Sequence, residues 1–252
     1  IEFMNLQQNK KTDYLIISLI YFTVFCIYTF PLITNITSSF IGAGDVHIYV
    51  FNIFNFKSRI LNLESPFYTD LMFYPKGGST LMHAGTWTMS IFASFFPNII
   101  LGMNIYLILT YVTAGVGAYI FAYKYLQNKY YAFLSGFIYA FSNYMTSRLL
   151  GHYNLVLTAA IPFLLYYFLL VFDNFKGFRH LWEYQKKSTL ILLSLFVFSV
   201  FSDYVVTIGF IYFTFFYWLF YIIDFLYCKY KPKTWKIWVG GFIILLVFDQ
   251  LI

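Results

Sequence analysis

Long apolar stretches separated by short polar turns dominate the chain. Seven of them approach the length needed to cross roughly 30 Å of hydrocarbon at about 1.5 Å per helical residue: Tyr14–Thr34, Met103–Tyr123, Tyr130–Leu149, Asn154–Phe172, Ser188–Ser202, Tyr204–Tyr227 and Trp235–Ile252. The pattern predicts an all-α, polytopic membrane protein with about seven transmembrane helices. An eighth segment, His83–Gly102, carries Pro97 and is diluted by Gly85 and by Thr and Ser residues. By pattern alone it either spans the membrane or lies in its interface. The last run stops where the chain stops, and further helices are expected beyond residue 252. Residues Ile1–Phe3 precede Met4 and are set aside as a remnant foreign to the fold, which leaves a single transmembrane domain over 4–252.

After the first span the pattern changes in FIGAGDVHIYVFNIFNFKSRI, Phe40 to Ile60. Asp45, Asn52, Asn55, Arg59 and Asn62 recur at helical spacing and form one polar stripe. Val46, Tyr49, Val50, Ile53, Phe54, Phe56, Ile60 and Leu61 occupy the remaining faces. Such a helix is expected to lie in the membrane interface. Gly42 and Gly44 free the backbone to turn into it, and Asp45 falls at its N-terminus, where a carboxylate caps free N–H groups. The stretch Ser65–Gly78, SPFYTDLMFYPKGG, reads as an ordered, turn-rich loop. With His83–Ile100 as a second interfacial or re-entrant segment, residues 35–102 form one outer loop with two interfacial helices.

Composition supports the membrane class. Hydrophobic residues make up 61% of the chain and charged ones 10%, against about 25% charged in a soluble domain. Charge then sets the orientation. With the N-terminus inside and His83–Gly102 not crossing, the cytoplasmic side collects Lys10, Lys11, Lys124, Lys129, Lys176, Arg179, Lys186, Lys187, Lys229, Lys231, Lys233 and Lys236. The outer side keeps only Lys57, Arg59, Lys76 and Arg148. If the segment crossed, nearly all of that bias would invert. The net charge of +6 is therefore a topology signal. Its lysines are scattered over short loops, which excludes a nucleic-acid footprint. Cys26 and Cys228 suit neither a metal nor a disulfide framework and read as packed thiols.

This orientation gathers the unusual polar residues on one face. Asp45, Asp70 and His83 belong to the first outer loop. Arg148 and the Gly151–His152–Tyr153–Asn154 turn join the third and fourth spans, and Asp203–Tyr204 join the fifth and sixth. Ionisable groups near a membrane are costly and often functional. Outer turns are also wet and polar for ordinary reasons, and capping alone would account for Asp45. Gly115, Gly117, Gly240 and Gly241 read as helix-packing positions.

In order and spacing, Gly44-Asp45, Tyr74-Pro75-Lys76-Gly77, SGFIYAFSNY (Ser135–Tyr144), Gly151-His152-Tyr153-Asn154 and Ser202-Asp203-Tyr204 resemble the GT-C superfamily of integral-membrane glycosyltransferases, in particular its uncharacterised bacterial multi-spanning members. The resemblance covers nearly the whole chain through short motifs. It implies transfer of a sugar from a polyprenyl-phosphate carrier in the membrane to a glycan, lipid or protein acceptor on the extracytoplasmic face of a bacterial cytoplasmic membrane. It implies Asp45 as the catalytic base or acceptor-positioning carboxylate. The departing polyprenyl phosphate would need cations or hydrogen-bond donors, for which Arg148, Arg59 and Lys76 are available outside. His152, Asn154, Asp203, Tyr204, Asp70 and His83 complete the candidate substrate-binding set. Many members carry a second acidic residue in the next outer turn, where this chain has Gly-His-Tyr-Asn. That departure removes the support for a divalent metal and leaves the cofactor undetermined, with His152 or Asp203 as candidates to fill the gap. The competing expectation is a transporter or lipid- or glycan-handling protein without catalysis.

Overall fold

The computed structural model describes residues 2–80, 87–173 and 185–228, with side chains over 12–80, 87–173 and 185–220. The chain divides into two compact units, Ile1–Thr207 and Ile208–Ile252. The described residues are mostly helical, with one two-stranded hairpin. In the first unit the order is α1 (Glu2–Tyr28), a 3-10 turn (Leu32–Asn35), α2 (Val46–Leu61), β1 (Tyr68–Thr69), β2 (Gly78–Ser79), α3 (Trp87–Ser94), α4 (Ile99–Leu126), α5 (Lys129–Ala140), α6 (Asn143–Arg148), α7 (Tyr153–Val156), α8 (Ala160–Asp173) and α9 (Lys186–Ser202). It also holds the start of α10 (Tyr204–Cys228), whose remainder belongs to the second unit.

Among the described residues, two stretches are long and apolar enough to cross a membrane: Ile99–Leu126, and Tyr153–Phe172, which comprises α7 and most of α8. Thr12–Tyr28 and Tyr204–Phe220 are shorter apolar helices. The expected span Tyr14–Thr34 ends early, because Pro31 cannot donate to a helical ladder. The expected span Tyr130–Leu149 is broken. α5 has 12 residues, and Ser142 caps a new helix by accepting the Met145 N–H. α3 has 8 residues, about 12 Å of helix, so it is too short to cross. Trp235–Ile252 lies outside the described residues.

α4 is the central element of the first unit and packs against α1, α2, α3, α5 and α8. Small residues permit the close crossings. A methyl at Gly136 of α5 would lie 2.4 Å from the Gly115 carbonyl oxygen of α4, and one at Gly117 would lie 2.7 Å from the Phe163 ring of α8. Tyr21 of α1 fills the same crossing. It is fully buried, stacks on Phe133 and donates its hydroxyl to the Phe133 carbonyl at 2.9 Å. The glycines expected at packing positions 115 and 117 therefore stand at helix contacts.

The middle of the polar stripe predicted for α2 turns inward, while its ends, Asp45 and Asn62, are exposed. Asn52 and Asn55 are buried together with Val46, Tyr49, Ile53 and Phe56, while Phe54, Ile60 and Leu61 are exposed. Asn55 Nδ2 donates to the Tyr68 carbonyl of β1 at 3.3 Å. The Asn55 amide thus supplies a partner to a loop carbonyl inside the protein. α3 seals this layer, with Trp87 edge-on to Phe67 at 4.8 Å and tilted against Phe56 at 6.0 Å.

Candidate functional site

The approach to Asp45 is clamped from several elements. Asn104 of α4 is buried and donates Nδ2 to the carbonyls of Ile36 (2.8 Å) and Ser39 (2.7 Å). Asn98, at the head of the same helix, donates to the Thr37 carbonyl at 2.8 Å. Tyr153 donates its hydroxyl to the Ile41 carbonyl at 2.5 Å. Gly42 follows with φ +89, and its Cα rests on the backbone of Leu150. The Ala43 N–H donates to the Leu150 carbonyl at 3.1 Å. On the opposite side, α6 ends and the chain reverses, with the His152 N–H donating to the Arg148 carbonyl at 2.7 Å. Two turns distant in sequence thus meet through their backbones.

This contact brings the Asp45 Oδ2 to 3.4 Å from His152 Nδ1, with both side chains about half exposed. The expected cap does not form. Asp45 stands at the N-cap position, but it makes no side-chain cap hydrogen bond. Its backbone is already helical, at φ −64 and ψ −15, whereas a capping side chain reaches the N–H groups from an extended backbone. The N–H groups of His47 and Ile48 are taken by the carbonyls of Gly44 and Asp45, at 3.3 and 2.9 Å. The carboxylate is left to face the imidazole and solvent.

One helical turn further along α2 lies Tyr49, which the sequence pattern places on an apolar face. It is buried and stacked on Tyr153, with ring centroids 5.4 Å apart. Its hydroxyl donates to Asn154 Oδ1 at 2.5 Å. Asn154 Nδ2 donates in turn to Asp203 Oδ2 at 2.8 Å. The other oxygen of Asp203 accepts the N–H groups of Val205 (2.6 Å) and Val206 (3.1 Å), capping the start of α10. An ionised Asp203 only accepts, so its pairing fixes which end of the Asn154 amide faces Tyr49. Burial pushes the Asp203 carboxyl up, opposed by the hydrogen bonds from Asn154 and from the Val206 and Val205 N–H groups. Burial pushes the Tyr49 phenol up to about 12, opposed by its bond to Asn154 and reinforced by the charges of Asp45 and Asp203.

The structure thus brings Asp45, His152, Asn154 and Asp203 together: a half-exposed Asp–His pair beside a chain in which partly buried Asn154 joins buried Tyr49 to buried Asp203. It does not bring Arg59 and Asp70 there. Arg59 forms ion pairs with both Asp70 and Glu64 at the far end of α2, about 21 Å from Asp45 along the helix. Its guanidinium also lies 5.9 Å from the Tyr68 ring centroid, so it staples the outer loop. Lys76 is exposed in the hairpin, where its carbonyl accepts the Tyr68 hydroxyl. Arg148 stands beside the site, its guanidinium 5.8 Å from the Tyr144 ring centroid. Tyr204 follows Asp203 directly and is partly exposed. His83 lies outside the described residues.

The site offers little to a metal ion. Among the described residues no group of three or more His, Cys, Asp or Glu side chains converges. Asp45 and His152 would supply two donors, while both Asp203 oxygens are engaged by N–H groups.

No protein family, curated protein or solved structure matches the chain.

Proposed function

We propose that the chain is an integral-membrane glycosyltransferase of the GT-C type. In this reading about seven apolar segments, the broken α5–α6 segment among them, cross the bacterial cytoplasmic membrane, with the N-terminus in the cytoplasm and the Asp45 site on the extracytoplasmic face. The donor is a polyprenyl-phosphate-linked sugar, and the acceptor is a glycan, lipid or protein hydroxyl.

The observation that carries the reading is the Asp45–His152 pair. A carboxylate that the helix could use as a cap is instead left accessible beside an imidazole. That is the arrangement a general base needs. As the acceptor oxygen bonds to the anomeric carbon, its proton passes to Asp45. The bond from that carbon to the carrier phosphate breaks, and the electron pair leaves with the phosphate. His152 Nδ1, 3.4 Å from Oδ2, positions the carboxylate. Arg148 stands at the same turn as a cation for the departing phosphate. Asp203 supports the role missing from the Gly-His-Tyr-Asn turn only indirectly, by fixing Asn154 and Tyr49 beside the pair.

A sugar-transfer assay tests the class. The full chain, reconstituted in proteoliposomes, is given polyprenyl-phosphate sugars and a panel of hydroxyl acceptors. Transfer supports the enzyme. Movement of the lipid-linked sugar between leaflets with no transfer would favour the transporter or lipid-handling reading instead.

A further inference from the structure

A second polar feature lies at the other end of α2. The Lys57 ammonium donates to the carbonyls of Phe96 (2.6 Å) and Pro97 (3.1 Å), in the link between α3 and α4. Among the described residues it has no carboxylate partner. An ammonium has three N–H donors, so the two carbonyls fix its position and leave a donor and the full charge uncompensated. It lines an open groove of about 490 Å³ together with Phe54, Ser58, Leu61, Pro97 and Ile99. Phe54 is 51% exposed and Leu61 73% exposed, so the groove joins apolar walls to one immobilised cation.

We infer that this groove binds an anionic phospholipid of the surrounding bilayer, its phosphate on Lys57 and Ser58 and the start of its acyl chain along Phe54 and Leu61. The charge demands an anion, and the walls demand hydrocarbon attached to it. The reactive donor is a poor candidate for this position. Lys57 lies about 18 Å from Asp45 along α2, too far for a leaving phosphate to be served by that carboxylate. The bound lipid would seat α2 in the interface. The inference needs α2 to lie at a membrane surface but does not depend on glycosyl transfer.

The test is native mass spectrometry of the full chain in neutral detergent, with phosphatidylglycerol and phosphatidylcholine of matched chains. Wild-type protein is expected to retain phosphatidylglycerol at least tenfold better. Lys57→Gln is expected to reduce that retention to the phosphatidylcholine level, Lys57→Arg to preserve it, and Lys187→Gln, at an exposed lysine of α9, to leave it unchanged. Excess glycerol 3-phosphate is expected not to displace the lipid. Equal retention of the two lipids by wild type overturns the proposal without any variant. Undiminished retention in Lys57→Gln overturns it as well. Displacement by glycerol 3-phosphate would mean a free-phosphate site and not a lipid site. If Lys57→Gln does not fold, Phe54→Asn replaces it, with the same loss expected and the same contradiction if retention persists.

Discussion

A methyl group at Gly42 would lie 2.2 Å from the carbonyl oxygen of Leu150, so these two residues meet only because position 42 has no side chain. The contact docks the turn before α2 onto the turn after α6, and it carries Asp45 to His152. Gly42→Ala combines a positive φ with a backbone collision and is expected to cost about 1–3 kcal/mol. Gly44 also has a positive φ, at +62, but a methyl there would meet nothing within 4 Å. Gly44→Ala is therefore expected to cost only about 1 kcal/mol. Thermal unfolding of both variants in detergent checks the ranking. An equal loss would mean that the Leu150 contact contributes nothing.

Asn154 bridges Tyr49 and Asp203 inside the protein. Asn154→Ala leaves a buried carboxylate and a phenol without that partner, and a loss of about 1–3 kcal/mol is expected. Tyr49→Phe removes one donor, leaves the ring stacked on Tyr153, and is expected to lose about 1 kcal/mol. Chemical unfolding of the two single variants and the double variant reads the coupling. If the single losses simply add, the three side chains do not act as one chain.

Much of the helical layout is legible in the sequence, and so is the sharp turn at Gly42–Gly44. Apolar periodicity failed at α2 for a physical reason. In a membrane-associated chain the exposed side can be apolar and the protein side polar, so pattern alone could not tell that Asn52 and Asn55 turn inward. The break at Ser142 was legible in principle, since a serine ahead of a short polar stretch is a capping signal, but it was hidden within an apolar run. The role of Tyr49 had no local signature at all. It follows from the positions of Asn154 and Asp203, which come from distant turns.

The raised Asp203 carboxyl gives a pH dependence of definite sign. Its folded value lies above its unfolded one, so its contribution to stability is fully present below the ordinary carboxylate value, about 4. That contribution is lost as pH rises through the raised folded value. The melting temperature should therefore carry a component that falls as pH rises above about 4. In Asp203→Asn that component should vanish, and the slope over this window should be shallower than in wild type. A steeper slope in the variant would contradict the assignment.

Sidedness is testable without knowing a substrate. In a Cys26→Ser/Cys228→Ser background, Asp45→Cys should react with a membrane-impermeant maleimide in intact cells whose outer barrier is permeable to the reagent. Gln127→Cys, in the exposed turn between α4 and α5, should react only after the membrane is opened. The reverse pattern would invert the proposed topology.

The most direct measurement is sugar transfer from a polyprenyl-phosphate donor by wild type and by Asp45→Asn, compared at equal amounts of folded, membrane-inserted protein. Because Asp45 makes no side-chain cap hydrogen bond, the amide should fold like wild type while losing the base. The account predicts transfer by wild type and a fall of about 100-fold or more in the variant. Transfer by Asp45→Asn at the wild-type rate would contradict it.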